Sequence, residues 1–396
     1  MPWKETCVMD LRFEFVMRAL CEEKPLRELC TEFGISAKTG YKWRDRFLER
    51  GPHGLADLSR KPKRSPNELP GDLVCEIVRI KNAHMGWGPV KIREVYARKH
   101  PGAELPSESS FKRVLEKAGL VVKRKQKRSN TCGRIEYRVV PEEPNDLWTV
   151  DFKGWWYTNN RQRCEPLTVR DAHSRFVLCA SALDDAKSQT VRRQFERLFE
   201  THGLPKAIRS DNGTPFACTR APLGLSRLSA WWVALGINLD RIPPGRPDQN
   251  GAHERMHRDM AFEVERCPES DLNQQRAALE TWRQSYNFER PHEALRMRTP
   301  GEIYRNSDRP FSKALQEVSY PAGFLARKVN GAGCIYIDRT QLLITTALCG
   351  WHVGLKPSGP DGFLVWFGPL CMGTIDMCAQ AFKAADKLAI DQNETL

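Results

Sequence analysis

The sequence has no apolar run approaching the length of a membrane span. Its first residues, MPWKETCVMDLRFEF, lack the apolar centre of a secretory signal. A membrane-spanning class is thereby excluded, and the chain is expected to stay in the cytosol. No Cys-x-x-Cys pair occurs among its thirteen irregularly spaced cysteines. That argues against zinc ribbons and disulfide frameworks, and in a reducing compartment most of these residues are expected to be buried thiols. There is also no low-complexity tract. The composition, 40% hydrophobic and 28% charged, is that of a globular chain. Its 396 residues exceed one ordinary domain, so about two to four are expected.

What the sequence has in excess is positive charge at one end. Residues 1–140 carry 30 Lys and Arg against 18 Asp and Glu, a net of +12 out of +13 for the whole chain. A basic front third joined to a nearly neutral remainder points to a polyanionic partner, most simply nucleic acid.

Helical periodicity places three short helices in residues 10–50. Leu11, Phe15, Val16 and Leu20 form one apolar face. Leu26, Leu29, Cys30 and Phe33 form a second, closed by Gly34. A third helix, capped by Ser36 and ended by Gly51, turns Trp43, Phe47 and Leu48 inward. This is a helix-turn-helix pattern over residues 1–51, with Lys38, Thr39, Tyr41, Lys42, Arg44 and Arg46 as the expected DNA-facing residues. A Pro-, Gly- and Arg-rich linker follows at 52–70, then a second helical DNA-binding module at 71–120. Residues 121–144 read as a basic linker in which Lys123, Arg124, Lys125, Lys127 and Arg128 would follow a phosphate backbone.

From Asn145 the texture changes. A first strand (DLWTVDFKGWWY), a hairpin at 165–183, then helix, strand, helix, strand and helix give the order βββαβαβα over 145–305. This is a ribonuclease-H-like α/β pattern. Three acids stand out. Asp151 lies inside the first strand, Asp211 ends a strand in RSDNG, and Glu254 sits one turn into a helix that Asn250 could cap. Buried or half-buried carboxylates are costly unless paired or bound to metal, and three converging at a sheet edge would make an oxygen-only set that suits magnesium or manganese. Two such ions about 4 Å apart activate a nucleophile and stabilise the leaving oxygen in phosphodiester attack.

Glu254 also belongs to His253-Glu254-Arg255-Met256-His257, which fits the H-E-x-x-H pattern of zinc metalloproteases. The extended zinc pattern is not met, because Met260 stands in place of its glycine and Glu263 in place of its last histidine. His253 and His257 are accordingly expected on the helix surface near DNA phosphates. Asp171, a fourth acid, reads as structural. Asn212 and Gly213 would shape the turn of Asp211, and Arg290 and His292 would help close the site.

WTVDF, RSDNGTPF, PGRPDQNGAHERMHR and YNFERPHEAL…TP resemble the core of DDE transposases and retroviral integrases, closest to bacterial insertion-sequence transposases of the integrase-like group. The resemblance implies that Asp151, Asp211 and Glu254 are the catalytic triad and hold two Mg²⁺ or Mn²⁺ ions per site. It further implies double-stranded DNA, both terminal inverted repeats and target, as partner of a homo-oligomer near the bacterial nucleoid. Arg246, Arg255 and Arg258 would touch the DNA backbone. Many relatives place 35 residues between the last two acids, whereas 42 intervene here, with the surplus expected around CTRAPLGLSRLSAWW.

Residues 306–385 read as short alternating strands of a small β-barrel, followed by a tail at 386–396. The expected function is DNA cleavage and strand transfer at element ends. The alternatives are a catalytically silent DNA-binding regulator and, remotely, a zinc protease acting through HERMH.

Overall fold

A computed structural model describes residues 7–59, 68–121, 139–243, 250–314 and 317–385, and the chain divides into two compact units, Met1–Pro70 and Gly71–Leu396.

In the first unit, α1 (Val8–Leu20), α2 (Leu26–Glu32) and α3 (Ala37–Arg50) close around Phe15, Val16, Leu29, Cys30 and Trp43. The turn before α3 follows from its residues. Gly34 takes φ +64°, and the Ser36 hydroxyl accepts from the Thr39 amide at 3.2 Å to cap the helix. A Cβ at Gly40 would collide with the Cys30 sulfur, so glycine is what lets α3 pack this closely on α2. Leu55, in the expected linker, is buried in the same core. The Arg12 guanidinium holds that segment by donating to the Leu55 carbonyl at 2.8 Å while lying 3.9 Å from the Trp43 ring centroid. Leu11, Leu20 and Leu48 do not turn inward as their spacing suggested. They stay substantially exposed, because Phe15, Val16 and Trp43 already fill the small interior.

The second unit opens with α4 (Gly71–Ala83), α5 (Pro89–Lys99) and α6 (Glu108–Lys117), packed through Ile77, Ile80, Ile92, Phe111 and Leu115. Buried Lys81 ties the α4–α5 turn by donating to the carbonyls of Met85 (2.6 Å) and Trp87 (2.9 Å).

The central sheet contains β1 (Leu147–Phe152), β4 (Pro166–Asp171), β5 (Val177–Ala182), β6 (Ala207–Ser210) and β7 (Asn238–Arg241); a small hairpin of β2 (Trp156–Tyr157) and β3 (Arg163–Cys164) intervenes after β1. Spatial order is β5-β4-β1-β6-β7, antiparallel from β5 to β1 and parallel from β1 to β7. Period-two alternation decides which side chains face which layer. Trp148 and Val150 of β1, with Leu167 and Val169 of β4, face a core shared with α7 (Ser188–His202) and α8 (Arg227–Ala234). Thr149 and Thr168, the intervening residues, face the opposite layer, where α9 (Gly251–Met260) and α10 (Leu272–Phe288) pack through Met256, Met260, Leu279, Trp282 and Tyr286.

The C-terminal strands are β8 (Leu325–Lys328), β9 (Cys334–Ile337), β10 (Thr340–Leu343), β11 (His352–Pro357), β12 (Gly362–Phe367), β13 (Leu370–Asp376) and β14 (Ala381–Ala384). The expected barrel is not closed. These strands form an open antiparallel sheet, β14-β13-β12-β11-β8, beside a separate β9–β10 hairpin. The physical reason lies in burial. Leu348, Val353, Leu355, Val365 and Phe367 join the same apolar cluster as Trp231, Trp232 and Val233 of α8, so the sheet covers its apolar face without curling onto itself.

Cysteines also depart from expectation. All the described ones are free, but Cys7, Cys21, Cys75, Cys267 and Cys378 are exposed, and only Cys30, Cys164, Cys179 and Cys334 are buried.

Candidate active site

Strands β1 and β6 run parallel as neighbours, so their C-terminal ends share one edge of the sheet. Asp151 stands near the end of β1 and Asp211 directly follows β6. The first turn of α9, which carries Glu254, arrives at the same edge, since the Asn250 side chain just before it donates to Asp151 Oδ2 at 3.0 Å. Asn250 therefore does not cap its helix through its side chain as expected; it holds Asp151 instead.

Asp151 is half-buried, whereas Asp211 and Glu254 are exposed. Burial pushes the Asp151 carboxyl up to about 7, and the negative charges of Asp211 and Glu254 push the same way, against the hydrogen bonds from the Phe152 backbone and Asn250. Among the described residues no group of three or more His, Cys, Asp or Glu converges tightly enough to cage an ion. Asp211 and Glu254 lie near enough to Asp151 for their charges to act on it.

The Asp211 turn is built as the residue types suggested. The Gly213 amide donates to Asp211 Oδ1 at 3.1 Å, and Asn212 Nδ2 donates to the Ile242 carbonyl at 2.8 Å. A Cβ on Gly213 would lie 2.9 Å from Asp211 Oδ2. The long segment before α8 folds locally, with a bridge between Ala217 and Leu225. Arg241, at the end of β7, was not anticipated. Its guanidinium feels the Asp211 charge, donates through Nη2 to the Phe216 carbonyl (3.3 Å) and Ser229 Oγ (3.2 Å), and is pushed down to about 10 by burial.

His253 and His257 are not surface residues near DNA. They are buried on the sheet side of α9, while Glu254, Arg255 and Arg258 of the same helix are exposed. His253 places Nδ1 2.8 Å from Thr149 Oγ1 and Nε2 2.7 Å from Thr168 Oγ1; His257 Nε2 lies 2.8 Å from the same Thr168 oxygen. One proton assignment satisfies the set with both rings neutral. Thr149 donates to His253 Nδ1, His253 Nε2–H and His257 Nε2–H both donate to Thr168, and Thr168 donates to the Asp151 carbonyl. Burial enforces neutrality, pushing His257 down to about 3 and His253 well below its usual range. The nitrogens that would ligate zinc are thus spent on threonine hydroxyls. Thr168 Oγ1 also lies 2.9 Å from the Asp151 carbonyl oxygen, so this clasp joins the strand of Asp151 to the helix of Glu254.

Other buried charges hold α9 from both ends. Arg170 of β4 donates to the Ala252 carbonyl at 2.7 Å. Arg290, expected to close the site, instead bridges Asp259 (2.7 Å) and Glu263 (3.2 Å) at the far end of the helix. His292 is buried against the Tyr286 ring and pushed down to about 2 by burial. Asp171 is structural: its carboxylate accepts from the Asn145 amide (2.8 Å) and from the amide and hydroxyl of Ser174. The threonines and Arg170 could have been found from alternation along β1 and β4, which sets them on the face of Asp151.

On α3, Lys38, Tyr41 and Lys42 are exposed, Thr39 is engaged with the Ser36 hydroxyl (2.9 Å), and Arg44 pairs with Asp45 at 2.9 Å. Arg46 is half-buried, its guanidinium 5.2 Å from the Trp43 ring centroid. Lys123, Arg124, Lys125, Lys127, Arg128 and Arg246 lie outside the described residues.

Residues 141–247 and 235–300 match models of the integrase core domain; residues 12–63 match a helix-turn-helix domain and 39–115 a homeodomain-like domain. Over 234 residues the chain is 33% identical to the insertion element IS407 uncharacterized 31.7 kDa protein of Burkholderia multivorans, covering 58% of this chain and 80% of that one. It is 28% identical over 264 residues to the IS476 uncharacterized 39.2 kDa protein of Xanthomonas euvesicatoria, covering 65% and 72%. Among solved structures, the HTLV-2 integrase catalytic core domain in complex with magnesium covers 41% of this chain and 99% of its own, at 18% identity and a TM-score of 0.33. The chain belongs to the insertion-sequence transposases of the retroviral-integrase-like group.

Proposed function

We propose that the protein cleaves DNA at the ends of an insertion element and joins the freed 3′ ends to target DNA, with Asp151, Asp211 and Glu254 as its catalytic carboxylates. The observation that carries this reading is one sheet edge, where Asp151 ends β1, Asp211 follows the neighbouring β6, the first turn of α9 brings Glu254, and burial together with the charges of the other two acids pushes Asp151 up to about 7. An all-oxygen donor set with excess negative charge fits Mg²⁺ or Mn²⁺, and Asp151, Asp211 and Glu254 would hold two such ions. Those ions would supply Lewis acidity and a lowered pKa for the attacking hydroxyl.

The chain's own residues do the positioning. Asn250 orients one Asp151 oxygen, Gly213 orients Asp211, and the histidine–threonine clasp fixes the helix from which Glu254 extends. Glu254 is exposed and free of packing restraint, so its side chain can close on Asp151 when substrate and cation are present. In the first step a P–O bond to the 3′ oxygen breaks as water adds to phosphorus, leaving a 3′-hydroxyl. In the second step that hydroxyl attacks a target phosphodiester and displaces its 3′ oxygen.

Lys38, Tyr41, Lys42, Arg44 and Arg46 of α3 would enter the major groove of the terminal repeat, with Arg255 and Arg258 on the backbone near the cut. Two ends must meet, so a homo-oligomer on DNA in the bacterial cytoplasm, at the nucleoid, completes the proposal. Incubating the protein with labelled terminal-repeat duplex and Mg²⁺ or Mn²⁺ tests it. Nicked and joined products are expected from the native chain and from neither Asp151→Asn nor Glu254→Gln. Undiminished product from either variant would overturn the assignment.

A further inference from the structure

The second helical module is docked on the helix that carries Glu254. Gly86, in the α4–α5 turn, lies so close to the segment following α9 that a Cβ there would stand 2.7 Å from Glu263 Oε1 and 3.2 Å from the Phe262 ring. Glu263 is not free to swing aside. It pairs with Arg290 at 3.2 Å and accepts from the Trp282 indole at 3.0 Å. Glycine at position 86 is therefore what lets the turn and the helix end meet.

A second contact lies at the other end of α5. There the Arg98 guanidinium donates to the Met297 carbonyl at 2.8 Å and to Glu302 Oε1 at 3.3 Å. The receiving turn is closed on itself: the Met297 amide donates to the His292 carbonyl (2.9 Å) and the His292 amide to the Arg298 carbonyl (3.1 Å). Just past α4, His84 Nε2 approaches Glu289 Oε2 at 3.7 Å. Contacts at both ends of α5 oppose rotation of the module about either one, and buried Lys81 holds the α4–α5 turn from within.

Glu254 and Glu263 lie on one continuous run of helix. Their separation, at about 1.5 Å per residue, is roughly 13 Å, close to four base-pair steps of duplex DNA. The module adds at most about 20 Å, the length of its longest helix, so its reach from Glu254 is about one turn of duplex, roughly 34 Å. On α6, the last helix of the module, Arg113 and Lys117 are exposed, and neither pairs with a carboxylate among the described residues. We infer that the dock sets where DNA is cut. The second module and the acids form one body, so base pairs gripped by α6 lie at a fixed distance, within about one duplex turn, from the phosphodiester presented to the same chain's Asp151 and Glu254. A reader on a flexible tether would tolerate variable spacing, whereas a docked one does not. The inference rests on the DNA-processing assignment of those acids.

The test uses the full chain, Mn²⁺ and end-labelled terminal-repeat duplex, with cut positions mapped on a sequencing gel. Hydroxyl-radical footprints of the native chain and of Arg113→Ala with Lys117→Ala locate the base pairs that α6 grips. Inserting about five base pairs, half a duplex turn, between them and the cut should lower cleavage at the native junction at least tenfold. Residual cuts should fall at the original distance from the gripped pairs. Gly86→Val with Arg98→Ala loosens the dock and should narrow that loss to about threefold, while spreading cuts over neighbouring positions on the unmodified duplex. Arg98→Ala alone should show a smaller effect of the same kind, covering the event that the double variant folds poorly. Asp151→Asn should keep the footprint and make no product, so a failed catalytic assignment and a failed dock give different patterns. A native chain that cuts the lengthened duplex undiminished at the native junction overturns the proposal. So do loosened variants that keep the native dependence on spacing. Restored cutting in a mixture of Asp151→Asn chains with Arg113→Ala, Lys117→Ala chains also overturns it, by placing the grip and the cut in different copies.

Discussion

Replacing Asp151 by Asn should stabilise the metal-free protein at neutral and alkaline pH. The Asp151 carboxyl is raised from 3.8 to about 7 by burial and by the charges of Asp211 and Glu254. At about 1.4 kcal/mol per unit, a rise of roughly three units corresponds to a penalty approaching ~4 kcal/mol once the group is ionised. The sign follows from proton uptake. Between about pH 4 and 7 the folded state holds a proton that the unfolded state has lost, so stability falls as pH rises through this window and stays low above it. Asn cannot ionise and avoids the fall. In buffer containing a chelator, the melting temperature of Asp151→Asn should equal that of the native chain near pH 4 and exceed it by several degrees at pH 8. Adding Mg²⁺ should raise the native curve and close the gap, with little response from the variant. A variant melting at or below the native chain at pH 8, or a gap that does not change with pH, would refute the electrostatic reasoning.

His257→Ala should destabilise the fold by about 1–3 kcal/mol, the usual cost of orphaning buried partners, and Thr168→Val should share that loss in a double-mutant cycle read by denaturant unfolding. Since burial pushes His257 down to about 3, the unfolded chain takes up the extra proton below about pH 6.5, so stability falls as pH drops. His257→Gln should flatten that acid limb. Arg290→Gln leaves Asp259 and Glu263 without their buried partner and should cost about 3–5 kcal/mol by the same unfolding measurement. On α3, Lys42→Ala should weaken duplex binding at low salt and reduce the slope of log affinity against log salt by about one phosphate contact, roughly 0.9.

Much of the architecture was legible because local physics carried it. Ser36, Gly34 and Gly51 mark α3 through capping and left-handed backbone, and the βββαβαβα order follows from alternation giving way to helical periodicity. The expected barrel failed for a different reason. Alternating short strands show that one face is apolar, but not whether that face is covered by closure or by a neighbouring layer. Here α8 and its surroundings cover it. In the same way, helical spacing marked Leu11, Leu20 and Leu48 as core without revealing how small the core is.

By itself the sequence determined which residue types were available: three acids at strand ends and a helix start, a basic front third, and two histidines a helical turn apart. Only the tertiary structure decided what those side chains meet. The adjacency of β1 and β6 makes Asp151 and Asp211 neighbours, and the rotation of α9 about its axis buries His253 and His257 against Thr149 and Thr168 while leaving Glu254 outside. A helix rotated by half a turn would keep the same spacing and present the histidines to solvent. The sheet's alternation and the close packing of Met256 and Met260 exclude that rotation, because contacts between residues about a hundred positions apart depend on how layers stack and not on local pattern.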